Sequence, residues 1–400
     1  MNLYEQYPYW LIKNGLVTAY PSLKNDIHID VAIMGAGISA ALTAWQLRNS
    51  GLSVAVFDKN HAGMGSTAAS TAFLQYEIDT PLSQLKNYMG EVDAVKSYKL
   101  CREAIYDIGN LCKSFKPAFD FHLKPSLQYA SFKTHLADLK TEFDLRKKHG
   151  FKVEWLEKAE IIKTFGFDAP GAIYSKDGGE VDAYLLTHAL LKSFREAGHK
   201  VYNNTPVNHI EHTRQGVTLH TGNNLTIKAK KLVIACGYES LNYVPKKIAE
   251  INSTYAMVSE PIPDEFFWYK NSLIWETATP YMYFRVVSEN RILIGGRDDP
   301  FHHPHIPPSV ISKKTEMLRH AFLKKMPHIP LVPDFKWAGA FASTKDGLPY
   351  IGTIPEHPNT YFALGFGGNG ITFSVIAAGI IHDLILNKKN ENAAIFRFNR

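Results

Sequence analysis

The chain has little cysteine. Its three residues, Cys101, Cys112 and Cys236, are odd in number and widely spaced, which excludes a disulfide framework and fits no metal-ligand template. That usage points to a reducing, cytoplasmic compartment. Long apolar runs are also missing: the best candidate, residues 371–386, is short of a membrane span and interrupted by His382 and Asp383. The first residues, Met-Asn-Leu-Tyr-Glu, carry no basic stretch followed by an apolar one, so no secretory signal is expected. Excess charge is small: 44 Lys and Arg against 38 Asp and Glu leave +6 on 400 residues. Basic runs such as residues 146–148 and the pair Lys246, Lys247 are too short to argue for a nucleic-acid partner. Internal repeats and low-complexity linkers are absent. So are G-x-S-x-G and P-loop motifs, which removes the corresponding hydrolase and phosphotransfer readings. The histidine group at residues 301–305 is bracketed by prolines without an acidic or cysteine partner, so it reads as a loop and no metal site is expected.

What is present begins at Val31. Val31-Ala-Ile-Met34 reads as a strand buried on both faces. It runs into Gly35-Ala-Gly37-Ile38-Ser39-Ala40, which fits G-x-G-x-x-G/A. The first glycine permits a tight turn, the second lets backbone approach a pyrophosphate, and the small third position lets helix and strand pack closely. A helix follows to Ser50-Gly51, its positive end aimed at the phosphates. Ser53-Val-Ala-Val-Phe57 is a second strand, and Asp58 stands where an acid accepts bonds from ribose hydroxyls. Strand, glycine turn, helix, strand and acid in register predict dinucleotide binding.

The aromatic first 27 residues are expected to form an ordered arm. Gly63-Met-Gly65-Ser66-Thr67-Ala-Ala-Ser70-Thr-Ala72 allows close backbone approach to something bulky, or is a plain flexible loop; composition does not separate the two. Apolar spacing predicts helices over residues 81–116, 136–149 and 182–197. Residues 200–236 read as β-rich, with hairpin turns at Gln215-Gly216 and Gly222-Asn-Asn224, and another hairpin turns at Ser288-Glu-Asn290. A strand at 361–364, the turn Gly365-Phe-Gly367-Gly368-Asn369-Gly370 and an apolar helix from Ile371 close the chain. This order predicts a mixed α/β (α+β) fold. A Rossmann-like nucleotide domain is assembled from residues 28–95, 180–250 and 335–400, and an antiparallel-sheet substrate domain from 96–179 and 251–334, with residues 1–27 as the arm.

From about Asp30 to Leu386 the chain resembles the D-amino-acid oxidase superfamily of FAD enzymes, which includes glycine oxidase and sarcosine oxidase. The resemblance rests on the glycine fingerprint with Asp58 and on Gly65-Ser66-Thr67-Ala-Ala-Ser70, similar to the family's G-x-S-x-x-N segment. It continues through Gly179-Glu-Val-Asp182, through Val207 after the next strand, and through Leu232-Val-Ile-Ala-Cys236-Gly237. Its most specific part is Trp337-Ala-Gly339 through Thr344-Lys-Asp346-Gly-Leu-Pro-Tyr-Ile-Gly352, followed by residues 365–371. The resemblance implies that FAD is held by Gly35, Gly37, Ile38, Ser39, Ala40, Asp58, Lys59, Ser66, Thr67, Ser70, Val207, Cys236, Gly237, Asp346, Gly367, Gly368, Asn369, Gly370 and Ile371. Attachment is expected to be non-covalent, because no cysteine lies near the C-terminal glycine segment and His61 sits in a predicted loop.

The resemblance further implies hydride transfer from the C–N carbon of an amine or amino acid to flavin, with oxidase and dehydrogenase both open. Relatives that oxidise amino acids often carry G-x-R-P, whose arginine forks onto the substrate carboxylate; here Phe341 holds that position. Either another arginine serves, with Arg285 the candidate, or the substrate lacks that carboxylate. Tyr283 and Gln75 are further substrate-facing candidates. Two alternatives stay open: action on a modified transfer-RNA base, and FAD binding without turnover.

Overall fold

A computed structural model describes residues 4–115, 119–301 and 305–400. His302 and His303 of the histidine group, and Lys116 of the predicted 81–116 helix, lie outside them. The described chain divides into two compact units. One comprises residues 1–12, 69–181 and 251–341, the other residues 13–68, 182–250 and 342–400.

The second unit is built on an eight-stranded sheet. Thr360–Leu364, Thr226–Ile234, Ile27–Met34, Val54–Phe57 and Lys200–Tyr202 run parallel in that spatial order. Tyr350–Thr353 closes one edge antiparallel to Thr360–Leu364. Burial on both faces explains the unbroken apolar runs: Val31, Ala32, Ile33 and Met34 are all buried, as are all four residues of Val54–Phe57. Helix Ile38–Leu47 packs against Ala183–Glu196 and Gly370–Ile385. The two hairpins predicted from Gln215-Gly216 and Gly222-Asn-Asn224 are present, joining Val207–His212, Val217–Thr221 and the first half of Thr226–Ile234. Asn224 takes the left-handed conformation (φ 59°) that asparagine tolerates. Helix Ala183–Glu196 starts where Asp182 accepts the Leu185 N–H at 2.9 Å and stops before Gly198, at φ 96°.

Gly367–Ile385 is long and apolar enough to cross a membrane by length and composition, which differs from the sequence estimate because the turn at 367–369 extends it. Of its most apolar stretch, 61% is buried within the protein, as in the core helix of a globular fold.

One residue of this unit makes it sensitive to acid. His188 is 2% exposed, lies edge-on to Tyr184, and neither ring nitrogen has a partner among the described residues. Burial lowers its pKa to about 4 from 6.5. Between those values the unfolded chain takes up a proton and the folded chain does not, so stability falls as pH drops through that window. The expected loss is about 3 kcal/mol at its lower end. His188→Leu should shrink the pH 7 to pH 4.5 difference in urea midpoint; an equal pH dependence in the variant would contradict this.

The first unit carries a ten-stranded sheet. In order its strands are Tyr4–Glu5, Pro333–Thr344, Ala249–Ser259, Arg291–Pro300, Met282–Val287, Leu273–Glu276, His122–Tyr129, Gly171–Glu180 and Phe73–Gln75, with Val153–Glu157 also on Gly171–Glu180. Leu273–Glu276 pairs parallel with His122–Tyr129, while Tyr4–Glu5 on Pro333–Thr344, Ala249–Ser259 on Arg291–Pro300, the Met282–Val287 pairs and the pairs of Gly171–Glu180 are antiparallel. The hairpin turns through Ser288-Glu-Asn290, three residues between the paired Val287 and Arg291, with both Glu289 and Asn290 at positive φ (62° and 54°). One face buries Met257, Phe284, Ile292, Ile294 and Ala338 against helix Pro308–Lys325 through Ile311, Leu318 and Phe322.

The predicted 81–116 helix is two helices, Leu82–Met89 and Glu91–Lys113, broken at Gly90 (φ 85°, ψ 156°), a conformation only glycine adopts without strain. The units also divide the chain differently from the sequence expectation. Residues 69–95 and 335–341 fall with the strand-rich unit, because Phe73–Gln75 pairs with Gly171–Glu180 and the 333–344 strand is long enough to serve that sheet. Residues 4–12 join the same unit: Tyr4 pairs with Gly339, Tyr9 and Trp10 are buried, and Trp10 Nε1 donates to the Ser70 carbonyl at 2.7 Å. The rest of the expected arm, from residue 13, belongs to the other unit.

Candidate cofactor and substrate sites

In the second unit the glycine turn is held by backbone. Gly35 has φ 102°, and a Cβ there would stand 2.4 Å from the Ala235 carbonyl oxygen. Gly37 precedes the helix in an ordinary conformation (φ −81°), but a Cβ would meet Thr67 Oγ1 at 2.9 Å. Ala40 is fully buried and Ser39 nearly so, and no side chain caps the helix. Thr67 Oγ1 instead accepts the Ile38 N–H at 2.9 Å, which ties the small-residue segment to the first turn of the helix. Ser39 and Ser374 hydroxyls meet at 2.7 Å, joining that helix to Gly370–Ile385.

Asp58, at the end of Val54–Phe57, accepts the Ala36 N–H at 2.7 Å and the Asn60 N–H at 2.8 Å. Burial pushes its carboxyl up, opposed by those two N–H groups. The acid therefore shapes the glycine turn. Lys59 pairs with Glu239 at 2.7 Å. Cys236 donates its thiol to the Met34 carbonyl at 3.2 Å, and burial raises its pKa, so it is no nucleophile. Gly237 follows at φ 59°. Val207 opens the Val207–His212 strand opposite Thr221, half-buried against the sheet core.

Gly367, at φ 54°, Gly368 and Asn369 form one tight turn directly before helix Gly370–Ile385, where Ile371 is buried. Asp346 is held by Arg400, a residue with no motif to mark it in the sequence. The residues fit FAD. Glycine at 35 and 37 lets the turn lie against the Ala235 carbonyl and Thr67 Oγ1, which a Cβ would strike, and the buried Ser66 hydroxyl, close to Gly237, has no hydrogen-bond partner among the described residues. Two helices begin at glycine-lined turns whose N–H groups suit anionic ligand atoms. Ser70, by contrast, lies in the first unit, where its hydroxyl accepts the Ala72 N–H at 3.1 Å.

In the first unit, Tyr283 and Arg285 point to the same face of their strand and converge on Thr71. The Thr71 hydroxyl donates to Tyr283 Oη at 3.1 Å. Arg285 donates Nε and Nη2 to the Thr71 carbonyl at 3.1 and 2.7 Å, and Nη1 to Glu180 at 3.0 Å. It is buried. Gly295 opposite Tyr283 is required by the ring, since a Cβ would stand 2.4 Å from Tyr283 Oη. Gln75 donates to the Glu77 carbonyl at 3.1 Å. Phe341 is half-buried on Pro333–Thr344, two residues after Gly339 and so on the same strand face as it.

A residue missed by sequence reasoning, Asp298, follows Gly295 and Gly296 on Arg291–Pro300. It bonds the Thr254 hydroxyl, its Oδ1 is buried without a partner among the described residues, and its charge acts on Tyr283. Burial pushes it up to about 6, with Asp79 adding to the effect. The left-handed Arg297 and the glycine before it hid this acid from a period-two reading of the strand.

Residues 30–384 match the family model for FAD dependent oxidoreductases, DAO. Glycine oxidase of Geobacillus kaustophilus is 26% identical over 384 residues, covering 90% of this chain and 93% of that protein. Gamma-glutamylputrescine oxidoreductase of Escherichia coli is 22% identical, covering 94% and 88%. The crystal structure of the Geobacillus kaustophilus glycine oxidase shares the fold, with a TM-score of 0.77 at 24% identity over 91% of this chain and 96% of that one. The match spans both units and nearly the whole chain, so this protein belongs to the DAO family of FAD-dependent oxidoreductases and is an enzyme acting on amines or amino acids.

Proposed function

We propose that this enzyme oxidises a carbon–nitrogen bond of an amine that does not depend on an α-carboxylate for binding, and that Asp298 orients the substrate through a cationic or N–H donor group. The observation that carries this reading is the reversal of charge in the strand-rich unit. Phe341 stands where amino-acid-oxidising relatives place an arginine, and Arg285, the sequence candidate to replace it, is engaged by Glu180 and the Thr71 carbonyl. Asp298, beside Thr254 and Tyr283, keeps a buried oxygen without a partner among the described residues. FAD, when bound, would supply the two-electron acceptor for the hydride of the carbon bearing nitrogen. The nitrogen lone pair then forms the C=N bond, the N–H proton is lost, and water hydrolyses the imine to a carbonyl compound and an amine. Asp298 would hold the substrate so that this C–H bond is presented in one orientation. Phe341 and Tyr283 would supply apolar surface that excludes water.

The test is anaerobic mixing of FAD-loaded protein with mono- and diamines, N-methyl amino acids and D- and L-amino acids, following loss of the visible flavin band. Amines without an α-carboxylate should bleach it fastest. Asp298→Asn should raise their KM about 10- to 100-fold, the value of one hydrogen bond between charged groups, while FAD loading stays normal. Fast bleaching by α-amino acids alone would sink the proposal. Bleaching by nothing would favour FAD binding without turnover, and salt-sensitive RNA co-purification would favour the modified-base reading.

A further inference from the structure

We infer that Arg400 is a positioning residue for the flavin, acting through the turn at residues 344–350. This rests on FAD binding by the second unit. The guanidinium forks onto Asp346, with Nε to Oδ2 at 2.7 Å and Nη2 to Oδ1 at 3.1 Å. Nη2 also reaches the Leu348 carbonyl at 2.7 Å, and the guanidinium lies 3.8 Å from the centre of the Tyr350 ring. Phe398, two residues earlier, packs against the same ring and against Phe362 of the parallel sheet. One arginine thus grips the turn by its carboxylate, its backbone and its aromatic ring.

The turn has its own internal bonds, from the Leu348 N–H to Asp346 at 3.1 Å and from the Thr344 hydroxyl to the Leu348 carbonyl at 2.8 Å. These set its shape, its ends are held by strands Pro333–Thr344 and Tyr350–Thr353, and Arg400 holds the segment between them. What the anchored turn touches is the glycine segment. A Cβ on Gly365 would stand 3.0 Å from Thr344 Cγ2 and 3.7 Å from Tyr350 Cδ2. Gly365 is at φ 77°, and the tight turn and N-terminus of Gly370–Ile385 follow directly. A shift of the 344–350 turn therefore moves the wall behind residues 365–370, whose N–H groups and helix dipole suit a reduced flavin's negative charge. Asp346 is itself mostly buried; burial works against its ionisation, and Arg400 holds it below the usual carboxylate range.

The experiment compares Arg400→Ala and Arg400→Lys with the wild type and with Val217→Ala, a core truncation in the hairpin of the same unit that controls for lost stability. The readouts are FAD dissociation constant by flavin fluorescence, the visible absorption maximum and the midpoint potential of the bound flavin. Arg400→Ala should weaken FAD at least about tenfold and shift both the band and the potential. Arg400→Lys should recover part of each, since a point charge replaces the fork. Val217→Ala should leave band and potential in place. Unchanged band, potential and FAD affinity in Arg400→Ala, or equal shifts in Val217→Ala, would overturn the inference. Failure of the wild type to take up FAD would overturn the cofactor assignment itself.

Discussion

Arg146→Ala should cost about 3–5 kcal/mol of stability, because it strips the partner from buried carboxylates. Arg146 is 1% exposed. Its Nε donates to Glu142 at 2.8 Å, Nη1 to Glu77 at 3.4 Å and Nη2 to Gln128 at 3.0 Å, with Tyr76 and Tyr98 rings beside the guanidinium. Glu142 in turn caps helix Leu82–Met89 by accepting the Leu82 and Ser83 N–H groups at 3.0 and 2.8 Å. Burial opposes ionisation of Glu142, yet Arg146 and the Ser83 N–H hold it below its usual range. Glu77 is pushed up by burial even with Arg146 nearby. The single change therefore leaves charge stranded and loosens a helix start and a strand together. Denaturant midpoints measure the loss. The double variant Arg146→Met, Glu142→Gln should be less damaged than the single Arg146→Met, since it no longer strands the Glu142 charge. A single-variant loss under about 1 kcal/mol would mean that water reaches these groups on little rearrangement.

Gly35→Ala should abolish FAD uptake, whereas Gly37→Ala should only weaken it. At Gly35 two penalties coincide. The left-handed φ of 102° costs a non-glycine residue about 1–3 kcal/mol, and the new Cβ would lie 2.4 Å from a backbone oxygen that no rotamer can move. Relief requires displacing the backbone of the glycine turn or of Ala235. At Gly37 the conformation is ordinary and the obstacle is the Thr67 side chain, which can rotate at the loss of its bond to the Ile38 N–H. Reconstitution with excess FAD, read by the visible flavin band, separates the two. Equal flavin content in both variants would show that close approach at Gly35 is not what the turn needs.

The two glycines illustrate how much could be read from local pattern. Strand Ile27–Met34, the glycine turn, helix Ile38–Leu47, strand Val54–Phe57 and Asp58 are one short stretch of chain. Their spacing carries both the elements and the cofactor, because a close backbone approach demands glycine wherever it occurs. The hairpins at residues 215–216, 222–224 and 288–290 were legible for the same reason: turn conformation is decided by the turn residues themselves. Gly90 was the local signal passed over, since apolar spacing continues through it while its φ and ψ end the helix.

Arg285, Asp298 and Arg400 were not decided locally. Strand alternation predicts the face on which Arg285 lies, but only the sheet brings Glu180 and the Thr71 carbonyl to its guanidinium, which turns a candidate substrate fork into a buried tie. Asp298 reads as one polar residue among several at a strand end; its buried oxygen and raised pKa arise from Thr254, Tyr283 and Asp79, distant in sequence. Arg400 meets Asp346 across 54 positions. The sequence by itself determined the cofactor, the mixed α/β class and the family, because dinucleotide binding is written in backbone conformation and spacing over a few tens of residues. Tertiary structure alone decided which charges are spent and which remain for a ligand, because the energy of a buried charge depends on partners and exclusion of water that only packing supplies.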